Sequence, residues 1–258
     1  MELQLLVSAV DKEPRKLAEE MNISSDAIII NQGQEFAYDE FERKGHRIRA
    51  YSFVERGVGL SRNNALLRAD KDICLFSDED IVYCDDYEQR VLEEFRKNPE
   101  ADMILFNIDV GEARRTYYIE SYGKVKVYNS GRYPTYSFAA RVDKLHKHNI
   151  TFSLLFGGGA KYSNGEDSLF IREVLKKGLK VYKAPVTLGR ETERESTWFS
   201  GYHEKFFFDR GVLYHHLYGK LATLIALRFL LKHKAVMCRE IPWKKAYQIM
   251  RRGIREAK

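Results

Sequence analysis

Short, nearly unbroken apolar runs separated by helix-length stretches constrain this chain most. Leu3–Ala9 (LQLLVSA), Asp26–Asn31 (DAIIIN), Asp72–Ser77 (DICLFS) and Ala101–Ile108 (ADMILFNI) are of strand length, and apolar residues occupy both of their alternating faces. Such a strand must be covered on both sides, as interior strands of parallel sheets are. Between them lie EPRKLAEEM, with proline in its first turn, Ser61–Ala69 (SRNNALLRA), with Ser61 as N-cap, and Asp85–Asn98 (DDYEQRVLEEFRKN). All three read as helices. His46–Phe53 alternates and reads as a further strand. The alternation predicts an α/β fold: a Rossmann-like, mainly parallel sheet flanked by helices.

The texture changes between Glu112 and Ala140, which is rich in tyrosine and alternating, and which predicts strands or a hairpin with a Tyr-Gly turn. Arg141–Asn149 reads as a short helix, Glu166–Gly178 as a helix with an acidic start and a glycine cap, and LKVYKAP as a strand. Helical apolar spacing returns in Gly219–Lys232 and Pro242–Arg255.

Charge divides the chain. The net charge is +6, yet residues 202–258 alone carry 13 Lys/Arg against 4 Asp/Glu. The slightly acidic body excludes a whole-protein nucleic-acid binder, and the basic tail suits an anionic membrane surface. The three cysteines, Cys74, Cys84 and Cys238, have no metal-ligand spacing and fit reduced thiols. MELQLLVSAV lacks the basic start and long apolar run of a signal peptide, and no apolar run reaches membrane-spanning length. The expectation is a cytoplasmic protein, peripheral at the inner face of the cell membrane if the tail docks there.

The run ICLFSDEDIVY places three acids, Asp78, Glu79 and Asp80, at the end of a buried strand. Ligands of open α/β sheets sit beyond the carboxyl ends of strands. Three crowded carboxylates become tolerable there when a divalent cation neutralises them, Mg²⁺ or Mn²⁺ completing its shell with substrate phosphate. Acids that merely end a strand and open a solvated loop would read alike, so context has to separate the two. Arg62 and Asn63 lie in a helix-starting turn just before the acidic strand, a setting suited to a diphosphate. Some 85 residues after the acids, GGGAKYSNGEDSLF opens a helix on a Glu-Asp pair.

The pattern resembles glycosyltransferase family 2, with its GT-A fold. The resemblance is carried by VGLSRNNALLRADKDICLFSDEDIVY and GEDSLFIREVLKKGLKVYKAP in that order and covers roughly residues 3–200. STWFSGYHEKFFFDRG resembles bacterial capsule and exopolysaccharide members. The resemblance implies a GT-A catalytic domain over 1–201 and a basic helical extension over 202–258. Within the domain, about 1–110 would bind the nucleotide-sugar and about 111–201 the acceptor. It implies inverting, metal-dependent transfer from a nucleotide-diphosphate sugar, UDP as first choice, to an acceptor hydroxyl on a lipid-linked saccharide. Asp80 matches the direct metal ligand, Asp78 the acid facing the ribose, and Glu79 assists either. Arg62, beside Asn63, matches the basic residue near the nucleotide, and Ser8–Ala9 the strand end beneath the base. Asp167 matches the catalytic base, leaving Glu166 to orient the loop or contact the acceptor along with Gly158. Trp198 is a candidate sugar-stacking residue and His203 a candidate additional metal ligand. The second strand ends on Asn31-Gln32 where the family usually has Asp, and an amide can still read a base edge.

Two alternatives stand beside this reading. A nucleotidyltransferase also uses paired acids and metal, but VSAVDKEP lacks the glycine-rich phosphate loop expected after its first strand. A catalytically inactive GT-A-like binding subunit is the other, and Asp78, Asp80 and Asp167 count against it.

Overall fold

The computed structural model describes residues 1–111, 117–192 and 201–257. One mixed sheet organises the chain. In order across it run β3 (Ala37–Arg43), β4 (His46–Phe53), β2 (Asp26–Gln32), β1 (Leu3–Val10), β5 (Ile73–Asp78), β9 (Phe138–Arg141), β7 (Met103–Asp109), β10 (Val181–Glu191) and β6 (Ile81–Tyr83). β4, β2, β1 and β5 are mutually parallel, and so are β7 and β10. The four apolar runs are β1, β2, β5 and β7, and they lie inside the sheet as their two-faced apolarity requires.

Alternation along each strand feeds two cores. Leu3, Leu5, Val7 and Ala9 of β1 pack with Leu17 of α1 (Pro14–Glu20) and with Val91 and Phe95 of α3 (Tyr87–Lys97). On the other face, Leu6, Ile28 and Phe76 pack with Ala65 and Leu66 of α2 (Val58–Arg68). Leu145 of α4 (Val142–Lys147) and Phe170 and Val174 of α5 (Glu166–Lys176) complete that core.

Several expectations need correction. Ser61 is no N-cap: α2 begins three residues earlier, Gly57 precedes it, and Ser61 is buried within the helix. Arg62 and Asn63 therefore sit in its second turn, where Arg62 faces the acids. The tyrosine-rich stretch, among its described residues, forms only the two-residue β8 (Gly123–Lys124), short 3₁₀ turns at Val127–Asn129 and Thr135–Ser137, and β9. Gly131 and Pro134 interrupt any ladder there, and proline lacks the N–H a ladder needs. β3 went unread. It is a charged edge strand joined to β4 through Lys44–Gly45, both at positive φ, the backbone of a tight hairpin turn.

The C-terminal extension is helical, as expected, but holds three helices: α6 (Glu204–Tyr218), α7 (Ala222–Met237) and α8 (Trp243–Glu256). They share a third core with Phe156 and Tyr162 of the preceding loop. α6 and α8 cross so closely that a Cβ on Gly211 would lie 2.2 Å from the Met250 carbonyl oxygen. Among the described residues no helix is long and apolar enough to cross a membrane.

Candidate active site

The site forms along the carboxyl edge of β2, β1 and β5. Register places Ser8 opposite Asp78 and Ala9 opposite Asn31. Beneath α2, the Ser61 hydroxyl donates to Ser8 Oγ at 3.0 Å. The three acids diverge. Asp78 ends β5 and faces Arg62. Glu79 turns back, accepting from the Val10 amide at 2.7 Å with the Lys12 ammonium at 3.6 Å. The Asp80 carbonyl receives the Thr192 amide and hydroxyl, tying the acidic turn to the end of β10.

Arg62 is the centre of the arrangement. Its side chain is 5% exposed and donates to Asp78 Oδ1 at 2.7 Å and to Glu166 Oε1 at 3.1 Å. Its guanidinium lies over the Phe152 ring, 5.4 Å from the centroid, and its buried Nε has no partner among the described residues. Burial alone would push the guanidinium pKa down, but Asp78 and Glu166 outweigh it and hold it above its ordinary value. Arg62 thus joins the acidic strand end to the first turn of α5.

Asp167 follows Glu166 in that turn. Burial first, then the Glu166 carboxylate, pushes the Asp167 carboxyl up to about 7, while the Ser168 amide, Arg62 and Arg210 act in the opposite direction. A carboxylate poised near neutrality suits proton abstraction. Two glycines make the turn possible. Gly157, at φ 103°, leaves room where a Cβ would meet Val58 Cγ1 at 2.6 Å and Glu166 Cδ at 2.9 Å. Gly165, at φ 117°, precedes α5, and a Cβ there would lie 2.5 Å from Leu213 of α6.

Several expected ligand contacts are committed within the protein. The Asn31 amide accepts from the Lys12 N–H at 2.9 Å and donates to the Lys12 carbonyl at 2.9 Å and to Ser52 Oγ at 3.3 Å. The Gln32 carbonyl group of the side chain accepts from the Gly57 N–H at 2.7 Å. Both residues are buried, so they hold the strand ends and the start of α2 rather than present a free edge to a base. Asn63 pairs with both backbone groups of Phe152. The Gly158 carbonyl accepts from Val58 N at 2.9 Å, fastening the glycine loop to α2. His203 Nδ1 caps α6 by accepting from Phe206 N. Trp198 lies outside the described residues.

Among the described residues, no three His, Cys, Asp or Glu side chains gather in a group that could hold a metal, so His203 does not join Asp78 and Asp80. Two carboxylates at one strand end nevertheless fit a hard divalent cation, which needs only one or two from the protein when phosphate and water supply the rest.

The sequence reading missed the part played by α6. Asp209, 3% exposed, accepts from Ser163 N and Oγ at 3.0 Å and pairs with Lys205. Lys205 also donates to the Lys161 carbonyl, so α6 holds the loop that leads into Glu166-Asp167. The signal was HEKFFFDRG itself, whose Lys and Asp stand four apart, one helical turn.

A mixed sheet with acids at a central carboxyl edge and a Glu-Asp pair opening the adjoining helix is the architecture of a GT-A glycosyltransferase. Glycosyl transferase family 2 matches residues 27–158, half of the sequence, and the chain belongs to that family. Among solved structures, TarS 1–349 of S. aureus in complex with UDP-GlcNAc superposes at TM-score 0.64 with 14% identity, over 93% of this chain and 74% of that one. A second structure of TarS 1–349 superposes at TM-score 0.65 with 13% identity, over 99% and 82%. The mannosyltransferase PcManGT of Pyrobaculum calidifontis, with GDP-Man and Mn²⁺, superposes at 0.54 with 10% identity, over 99% and 85%. No curated protein sequence matches the chain.

Proposed function

We propose that this glycosyltransferase moves a sugar, with inversion, from a nucleotide-diphosphate sugar to an acceptor hydroxyl, with Asp167 as base. The observation that carries the reading is the Asp78–Arg62–Glu166 bridge, which draws the acidic strand end and the turn bearing Asp167 to one guanidinium. The Asp167 carboxylate takes the acceptor hydroxyl proton as that oxygen attacks the anomeric carbon. The bond from that carbon to the diphosphate breaks on the opposite face, and its electron pair leaves with the phosphate oxygen. Asp80 and Asp78 are the residues to hold Mn²⁺ or Mg²⁺, which when bound neutralises charge on the departing diphosphate.

The neighbours carry UDP-GlcNAc in one case and GDP-Man in another, so the base is open to experiment, and UDP is our first choice. Calorimetry with UDP and GDP, each with Mn²⁺ or EDTA, tests the donor. Tighter UDP binding with Mn²⁺, lost in Asp80→Ala, supports the reading; metal-independent binding unchanged in that variant overturns the metal assignment. An NMR assay of the product must show the inverted anomer.

The acceptor we infer is a lipid-linked saccharide of capsule or exopolysaccharide synthesis, met at the inner face of the cell membrane. α7 supports this. It buries Ala222, Ala226 and Leu230 and exposes Leu224 and Leu231 beside Arg228 and Lys232, the pairing that suits an anionic lipid surface. Co-sedimentation of the full chain with anionic vesicles at low salt, lost on Leu224→Ser with Leu231→Ser, is the expected result. A chain that ignores such vesicles confines α7 to packing.

A further inference from the structure

A second cleft lies on the same edge of the sheet and belongs to neither the acids nor the base. It is a small cleft where β7 ends, about 40 Å³ in volume and open to solvent on one side, lined by Asn107, Tyr117, Arg132, Tyr133 and Tyr136 among others. Its place follows from register. Leu75 of β5 and Ile104 of β7 both lie opposite Ala139 of β9. Three residues further along each strand, Asp78 and Asn107 stand level, two strand spacings or about 10 Å apart. The loop that walls the cleft also approaches the base: a Cβ on Gly131 would lie 3.9 Å from Ser168 Oγ, next to Asp167.

The lining is aromatic and cationic. Tyr117 and Tyr133 meet edge to face at 5.1 Å. The Arg132 guanidinium lies over the Tyr117 ring, 4.9 Å from its centroid, and Lys183 Nζ donates to the Tyr117 hydroxyl at 3.3 Å. Among the described residues neither cation pairs with a carboxylate. Burial opposes ionisation of the Tyr117 phenol, yet Tyr133, Lys183 and Arg132 together hold its pKa below the ordinary value, as an excess of positive charge should. At the acidic strand end positive charge is matched: Arg62 has Asp78 and Glu166, and Lys12 has Glu79. Rings with a few convergent polar groups make a ligand pocket, and a guanidinium that no described carboxylate pairs favours a carboxylate or phosphate.

We propose that this cleft is the acceptor subsite and that it takes a saccharide bearing an oxyanion, carboxylate or phosphate, near the hydroxyl that reacts. The inference rests on the glycosyl-transfer reading above. It gives the tyrosine-rich segment a purpose: its turns fold against β7 to carry Tyr117, Tyr133 and Arg132 to one place instead of extending the sheet.

Saturation-transfer NMR on the full chain tests it, with glucuronic acid, glycerol phosphate and glucose as probes, alone and with saturating UDP and Mn²⁺. We expect at least one anion to bind roughly tenfold more tightly than glucose, the increment of a hydrogen bond to a charged group. That binding should survive UDP and fall to the level of glucose in Arg132→Gln. Lys183→Gln, at the other cation, gives a second check. Whichever anion binds identifies the oxyanion taken. Three results would overturn the proposal: no preference for anions over glucose, displacement of the anion by UDP, which would put it at the diphosphate site, or full retention in both variants. A chain that fails to bind any nucleotide would instead sink the glycosyl-transfer reading, so the two failures are distinguishable.

Discussion

Arg62 and Glu166 stand 104 positions apart in the sequence and 3.1 Å apart in space. One contact thereby ties α2, which lies over the acidic strand end, to the turn that holds Asp167. The same guanidinium grips Asp78, so the two carboxylates share one buried cation.

Arg62→Met leaves both carboxylates without their partner. Removing one member of a buried pair costs 3–5 kcal/mol in general. Asp78 is 33% exposed, so water recovers part of that, and a loss of about 3 kcal/mol is expected in urea denaturation. Arg62→Lys should recover little, because an ammonium cannot reach both carboxylates as a planar fork does. Wild-type stability in Arg62→Met would show that the bridge is incidental.

Asp167→Asn should keep donor affinity and lose a factor on the order of 10²–10⁴ in turnover. In the wild type, turnover should rise with pH through about 7 as Asp167 loses its proton, then level off. Glu166→Gln removes the neighbouring negative charge and should move that rise to lower pH. The sign for stability follows. A carboxyl whose folded pKa is raised favours the fold below its unfolded value, roughly 4, and this contribution is lost as pH climbs through about 7. Asp167→Asn should therefore melt higher than wild type at pH 8 and show no such gain at pH 3.5. A flat rate profile between pH 5 and 8 would remove Asp167 from the role.

Asn31→Asp restores the acid that the family usually carries at this strand end, and it should do harm. One carboxylate oxygen would face the Lys12 carbonyl, where Asn31 now donates at 2.9 Å. A loss of about 1–3 kcal/mol is expected. The ratio of UDP to GDP affinity should stay as it is, since the side chain is committed inward. A changed nucleotide preference would return Asn31 to the base-binding role.

Gly211→Ala tests the crossing of α6 and α8, where the new methyl would meet the Met250 carbonyl oxygen. Overpacking of this kind costs about 1–3 kcal/mol. Because α6 holds the Ser163 loop and lies against Gly165, turnover should fall as well, although Gly211 touches no substrate. Differential scanning calorimetry and a donor-hydrolysis assay read the two effects.

The sheet was legible because its inner strands are short runs apolar on both faces, set apart by their length and by the helix-length stretches between them. The acids and the Glu-Asp pair were legible because unlike chemistry interrupts those runs. What the sequence hid was commitment. Nothing in NQG shows that Asn31 would close on the Lys12 backbone, or that Gln32 would seat Gly57. Buried amides must satisfy themselves, and which partner they find depends on strands distant in sequence. β3 escaped because an edge strand needs no apolar run, and its charges are what keep it from pairing further. The tyrosine-rich stretch misled because β propensity describes a surface that suits a strand, while glycine, proline and the cleft decided otherwise.

The packing of Gly165 against Leu213, and of Gly253 against the Phe208 carbonyl, bears on how the enzyme is made. As the chain leaves the ribosome, Asp78, Asp80 and Asp167 emerge before α8, yet the turn bearing Asp167 rests on α6 and α6 rests on α8. A nascent chain that has not yet made α8 therefore carries Asp167 on a turn without its full support, and that turn is expected to set only once α8 has docked.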